Sequence, residues 1–390
     1  MKIGIDARTI LNPRKGDAIG AGHYTFQLIK NILEIDKENE YVLFFDSSVR
    51  QKDVRKFKQE NVKIVFYPFY EYRKYLPIIY SEIFISLTLK KEKLDLLHVT
   101  SEDVYIPKSY HGKIVTTFHD LSVYKVPDCY KSMERSKIKS QKLLSVKKSD
   151  QVIAVSKSVK KDLQEIFKLK NEQVSVIYNG VDQRFFQDAN GNTKKIPKKF
   201  GINKKYILFL GTISSVKNVT RLLYAFLLFK DARMKRIGKE KCDYQLLLVG
   251  KLGKMAQDVR YIIKDMNLSG DVKLADYVIG DELVPLFKYA KFFVLPSLYE
   301  GFGAMALESL ATRTPAILSD VPAVREVVGE NGLFVDPEDT RKIAKAMDRF
   351  ASDIEFREGF VEGGFERAKE FSWEKTARET LEVYENIFNE

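Results

Sequence analysis

Short runs of apolar, β-branched residues alternate with longer amphipathic segments along almost the whole 390-residue chain. That rhythm restricts the fold more than any other feature, because strands that alternate with helices build βαβ units and parallel sheets. The runs predict strands at Lys2–Asp6, Tyr41–Phe45, Val62–Phe66, Leu94–His98, Lys113–Phe118, Gln151–Val155 and Val174–Tyr178. Between them, helical spacing is clearest at Tyr24–Ile35, Lys131–Lys148 and Ser156–Phe167, with Ser156 as an N-cap. The rhythm fails between Asp182 and Lys205, where Asp188–Lys199 is rich in Asn, Gly and Lys. It restarts with strands at Tyr206–Leu210, Tyr244–Val249, Val272–Leu274, Phe292–Leu295, Ala316–Leu318 and Leu333–Val335. The expected architecture is α/β: two doubly wound, Rossmann-like domains facing a cleft, 1–182 and 206–371. An exposed linker (183–205) would join them, and a closing helix would span 372–390. Ligands of such folds bind outside the carboxyl ends of the strands.

Composition narrows the function. Charge is lopsided: residues 1–182 carry 32 basic and 23 acidic side chains, a net of +9, out of +12 for the whole chain. The first half is therefore expected to meet an anionic surface. Cys129 and Cys242 are far apart and form no C-x-x-C, which argues against a disulfide framework and for a reducing compartment. Met1 leads straight into a strand, and Leu76–Leu89 is too short and too polar to span a bilayer. A cytoplasmic protein is expected, either soluble or peripheral on the inner face of the cell membrane.

The most informative segment is Pro296-Ser297-Leu298-Tyr299-Glu300-Gly301-Phe302-Gly303-Ala304-Met305-Ala306-Leu307-Glu308. It joins a buried strand to an apolar helix. Gly301 and Gly303 let backbone approach a ligand, and the helix start offers N–H donors to an anion. Two carboxylates framing such donors suit a molecule with hydroxyls at both ends and negative charge between, as in a sugar nucleotide. The segment resembles the E-x7-E signature of glycosyltransferase family 4, whose retaining enzymes have the two-domain GT-B fold. The resemblance implies that Glu300 and the amides of Phe302, Gly303 and Ala304 hold the donor sugar, and that Glu308 takes the ribose.

Other segments agree in order. Gly211-Thr212-Ile213-Ser214-Ser215-Val216-Lys217-Asn218 resembles the family's donor-phosphate turn, with Lys217 as the point charge. Val216 stands where the family commonly has Arg, so Arg221 is the alternative phosphate contact. Phe118-His119-Asp120 resembles the strand end that carries the family's cleft histidine, with Asp120 expected to orient the His119 ring. Gly20 and Gly22 resemble the N-terminal glycine loop near acceptor and phosphates; Tyr24 reads as core packing. Tyr178-Asn179-Gly180-Val181-Asp182 reads as a structural turn, and Trp373 as packing of the closing helix on the first domain.

There is no D-x-D, no His/Cys/carboxylate cluster with metal spacing, no G-x-S-x-G and no P-loop. The expectation is metal-independent, retaining hexose transfer, with no cofactor beyond the sugar-nucleotide substrate. GDP-mannose leads by family likeness, ahead of UDP-glucose and UDP-N-acetylhexosamines. The acceptor would be a glycan or lipid-linked glycan of surface-polysaccharide or glycolipid synthesis. Aromatics and cations interleave over Tyr67–Lys93, and seven basic residues lie in Lys131–Lys148. They suggest contact with anionic lipid, which ranks above nucleic acid because no nucleic-acid module is present. Two other readings stay open: a sugar-nucleotide 2-epimerase, and an inactive membrane-held scaffold or sugar-binding module.

Overall fold

The computed structural model describes residues 1–11, 20–67, 77–187, 196–238, 243–253, 255–278 and 280–389. Two compact units emerge: Met1–Gly180 together with Ser372–Glu390, and Val181–Phe371. Among the described residues the first unit holds seven strands: β1 (Lys2–Asp6), β2 (Glu40–Asp46), β3 (Val62–Tyr67), β4 (Leu96–Val99), β5 (Lys113–Phe118), β6 (Gln151–Ala154) and β7 (Val174–Val176). The second holds six: β8 (Lys205–Leu210), β9 (Tyr244–Val249), β10 (Val272–Ala275), β11 (Phe292–Leu295), β12 (Ala316–Ser319) and β13 (Leu333–Val335). Each is a run marked in the sequence, with ends moved by at most two residues.

Both sheets are parallel throughout, ordered β3-β2-β1-β4-β5-β6-β7 and β10-β9-β8-β11-β12-β13. The order reverses between β1 and β4 in the first sheet and between β8 and β11 in the second. At such a switch point the connections leave neighbouring strands in opposite directions and open a crevice at their carboxyl ends.

In the first unit the Gly20–Ile35 helix packs Leu28, Ile29 and Ile32 on one sheet face. The last helix, Trp373–Asn389, joins that core through Trp373, Ala377, Tyr384 and Ile387. It is fastened by His98, whose Nδ1 lies 2.5 Å from the Tyr384 hydroxyl and whose Nε2 lies 2.8 Å from the Thr117 hydroxyl. Burial, and then neighbouring His119, push His98 down to about 3, so the ring is neutral and structural. The opposite face carries the Pro77–Glu92 helix, seated through Ile85 and Leu89 against Phe44, Tyr67 and Leu97. Tyr67 stacks on Phe44 at 5.5 Å and is core, not part of an aromatic surface. Residues 68–76 of that stretch lie outside the described residues.

In the second unit Phe209, Leu246, Leu248 and Val294 face helices Val219–Ile237 and Thr340–Ser352 through Leu222, Phe226, Ile343 and Met347. The segment read as the start of a linker is anchored in this unit. Phe185 of the turn Gln183–Phe186 is buried edge-on against Phe287, and Phe186 packs on Phe365. Two aromatics in a polar stretch explain the difference, since each gains more by burial than the turn loses by ordering. Residues 188–195 lie outside the described residues.

Candidate active site

The second unit's switch point is built by the turns that follow β8, β9 and β11. Gly211 leaves β8 with its amide donating to the Val249 carbonyl at 2.9 Å. Gly250 leaves β9 directly behind it: a Cβ there would lie 1.9 Å from the Gly211 carbonyl oxygen. Only glycine lets the two turns pass, a requirement that a lone Gly at a strand end does not announce.

Asn218 then stitches the β8 turn to the β11 turn. It adopts the left-handed conformation (φ 59°), and its Nδ2 donates to the carbonyls of Pro296 (2.9 Å) and Pro337 (2.7 Å). Its Oδ1 accepts from Arg221 Nη1 at 2.7 Å. The cation suggested as a substitute for the Arg missing at 216 thus has one nitrogen committed to this brace. Val216 contributes through its backbone, its carbonyl accepting from the Leu298 amide at 2.8 Å.

Across this brace Lys217 Nζ donates to Glu300 Oε1 at 2.5 Å, and the Ser297 hydroxyl donates to the same oxygen at 2.7 Å. Lys217 stands just ahead of the Val219–Ile237 helix, whose dipole disfavours a cation at that end. The pairing with Glu300 offsets this. The result is a cation held beside two helix starts, because Gly303 opens the Ala304–Ala311 helix next to it. Gly303 sits at φ +92°, and a Cβ there would meet Val324 Cγ2 at 3.3 Å, so the residue is glycine for both reasons. Phe302, buried edge-on against Phe371 at 5.9 Å, fixes the turn Gly301–Gly303 from below.

Glu308 lies on the same helix but does not share Glu300's surroundings. It is buried, and its Oε2 has no hydrogen-bond partner. Burial pushes its carboxyl up to about 8 against the pull of Arg184, and Asp182 adds to the rise. Both charged neighbours belong to the turn at the start of this unit. The sequence pairs Glu308 with Glu300 around one ligand; the structure buries Glu308, as an acid that is largely protonated at neutral pH.

In the first unit the candidate residues gather at the other switch point. Gly20 (φ +66°) begins the Gly20–Ile35 helix, and Gly22 is buried in its first turn. The His119 ring follows β5, with Nε2 2.8 Å from the Thr100 carbonyl and its centroid 4.6 Å from that of the Tyr24 ring in a T-shaped pair. The carbonyl can only accept, so Nε2 carries a proton toward it and Nδ1 is the ring's other edge. Asp120 does not orient this ring. Its Oδ1 accepts from the Ser122 amide at 2.5 Å and from the Ser122 hydroxyl, the local turn that Asp makes two residues on. Tyr24 is buried as expected, and its hydroxyl meets Thr117 at 3.0 Å.

Sequence reasoning missed Asn218, Gly250, Ser297 and the pair Glu102–Lys142, which underlies His119. Asn after Lys at a helix start was the one local signal, since Asn tolerates the left-handed conformation.

Residues 20–185 match the family Glycosyltransferase Family 4, and residues 192–367 match Glycosyl transferases group 1. The chain is 32% identical over 277 residues to an uncharacterised glycosyltransferase of Methanocaldococcus jannaschii, covering 69% of this chain and 68% of that one. It is 28% identical to O-antigen chain mannosyltransferase B of Escherichia coli, over 72% of each chain. Among solved structures, the sucrose-phosphate synthase of Thermosynechococcus elongatus superposes with a TM-score of 0.78 at 20% identity, over 100% of this chain and 99% of that one.

Proposed function

This chain belongs to glycosyltransferase family 4, and from that premise we propose that it is a retaining hexosyltransferase that uses a nucleotide-diphosphate sugar. The observation that carries this reading is the Lys217–Glu300 pair at the β8/β11 switch point, 2.5 Å across, beside the Gly303 helix start. Glu300 and the turn amides of Phe302–Ala304 hold the hexose. Lys217 and the helix-start N–H groups take the diphosphate, and the hydroxyls of a ribose would satisfy the orphaned Oε2 of Glu308. His119 is assigned to the sugar being transferred.

The reaction follows from these groups without a protein nucleophile. The bond between the anomeric carbon and the phosphate oxygen breaks while the acceptor oxygen bonds to that carbon from the same face. The departing phosphate takes the acceptor's proton, and Lys217 stabilises the charge it gains. The products are a glycoside of retained configuration and a nucleoside diphosphate. GDP-mannose is the favoured donor, the name of the Escherichia coli relative supporting mannose as the sugar; UDP-glucose and UDP-N-acetylhexosamines are the alternatives.

A thermal-shift screen with these nucleotide sugars, then product analysis with and without a glycan acceptor, tests the reading. Stabilisation by a donor and acceptor-dependent release of nucleoside diphosphate are expected. A donor whose sugar changes with no acceptor present would make the protein an epimerase. A protein that neither binds nor converts any of them would be an inert module.

The acceptor is proposed to be lipid-linked, met at an anionic membrane surface. No helix among the described residues is long and apolar enough to cross a membrane. Ile83, Phe84 and Leu87 are exposed ahead of Lys90 and Lys91, and Met133 and Leu143 are exposed among Lys131, Lys137 and Lys147. Sedimentation with phosphatidylglycerol vesicles should pull the protein down at low salt and release it as salt rises. Pull-down that salt does not alter, or none at all, would return these lysines to ordinary solubility.

A further inference from the structure

One buried ion pair has no place in the chemistry above. Lys142 Nζ lies 2.7 Å from Glu102 Oε1, with the side chains only 4% and 1% exposed. Lys142 is one of the seven basic residues that the sequence assigns to a surface, yet it points inward from the Ser132–Lys148 helix. Two charges taken out of water are a poor way to hold a helix, since an apolar pair of similar volume usually does as well or better. The arrangement needs another explanation, and its remaining contacts supply one.

Glu102 follows β4. Its Oε2 accepts from the His119 amide at 3.1 Å, and its Oε1 accepts from the Asp120 amide at 2.9 Å. Its own carbonyl accepts from the Ser145 hydroxyl at 2.8 Å, and the Thr100 carbonyl holds the His119 ring. The stretch 100–102 therefore fixes the His119 turn at both amides and at the imidazole. Burial alone would raise the Glu102 carboxyl, but Lys142, His119 and the amide donors bring it below the ordinary range, so it is ionised. A neutral carboxylic acid would lose acceptor capacity just where two amides converge. Lys142 is the largest of the influences that keep it charged. Asp103 faces the same ammonium at 3.3 Å.

We propose that Glu102 and Lys142 are positioning residues for the transfer reaction, holding the His119–Asp120 turn so that His119 presents its Nδ1 edge to the sugar. This rests on the assignment of His119 made above.

The test measures kcat and KM for transfer in the full-length protein. GDP-mannose is the donor, or UDP-glucose if that is the nucleotide sugar that stabilises the protein. Lys142→Met should lower kcat about 10- to 100-fold, with KM for the donor moved less than about threefold. Lys142→Arg should recover part of the loss. The neutral pair Glu102→Gln with Lys142→Met guards against simple unfolding; it should melt near the wild type and still lose kcat. In a double-mutant cycle, His119→Ala with Lys142→Met should be no slower than His119→Ala alone, because Lys142 acts through that ring. Losses that multiply, or a Lys142→Met enzyme with wild-type kcat beside an impaired His119→Ala, would overturn the positioning role alone. A His119→Ala enzyme with wild-type kcat would instead sink the role of His119 on which it rests.

Discussion

Replacing Lys217 by alanine should lower turnover by about 10²–10³-fold, the cost of deleting one donor aimed at charge that develops in a transition state. In the proposed reaction the leaving group is a nucleoside diphosphate, so the charge to be stabilised would appear on a phosphate oxygen. Lys217, on the β8 turn, is the cation assigned to that oxygen, with Val216 in place of the arginine the family commonly has beside it. Nothing comparable is expected for stability. Lys217 and Glu300 are 25% and 11% exposed, and a half-open ion pair contributes on the order of 0–1 kcal/mol. Glu300 also keeps its bond from Ser297. The melting temperature should therefore move by only a few degrees while kcat collapses. Lys217→Arg should not restore the rate in full, because the lysine acts as a compact point charge and a planar fork will not fit the same contact with Glu300. Turnover in Lys217→Ala within threefold of wild type would remove Lys217 from the chemistry.

What the sequence made legible follows from the physics of each part. Strands buried on both faces read as dense apolar runs, and β8, β11 and their neighbours were visible for that reason. The Pro77–Glu92 helix was not, because its exposed face carries Ile83, Phe84 and Leu87, which blur the helical period. The turns that carry Lys217 and Glu300–Gly303 were legible because each strand–turn–helix is local, whereas the bond that joins Lys217 to Glu300 across 83 residues was not. Glu102 and Lys142 could not be read, since they lie forty residues apart and a buried lysine on a basic helix looks like its solvated neighbours. His119 falls between these cases: its place at the end of β5 was readable, but the partner of its ring was not. Asp120 was the adjacent carboxylate, yet backbone geometry turns it onto Ser122 and leaves the ring to Thr100.

Glu308→Gln should stabilise the protein at alkaline pH and weaken its hold on the donor, and the same proton accounts for both. An ordinary glutamate ionises near 4.5, whereas burial moves Glu308 to about 8, with Arg184 pulling it down and Asp182 pushing it up. Between those values the folded chain keeps a proton that the unfolded chain has lost. Stability therefore falls as pH rises through this window. The cost is absent below about pH 4.5 and complete above about pH 8. At about 1.4 kcal/mol for each tenfold mismatch in proton affinity, it is on the order of 3–5 kcal/mol. Glutamine has nearly the same shape and no charge to desolvate, so the difference in melting between variant and wild type should be small at pH 4 and reach roughly 5–10 °C at pH 9. Comparing the two proteins at each pH cancels the other titrating groups; a difference that stays constant from pH 4 to 9 would show that Glu308 is not the source. Donor binding should run the opposite way. Ribose hydroxyls donate more strongly to a carboxylate than to its acid, so binding should expel the Glu308 proton. Nucleotide affinity of the wild type should then climb as pH rises toward about 8 and level off, while that of Glu308→Gln stays lower and flat. Affinities that run parallel in the two proteins would mean that the ribose is held elsewhere.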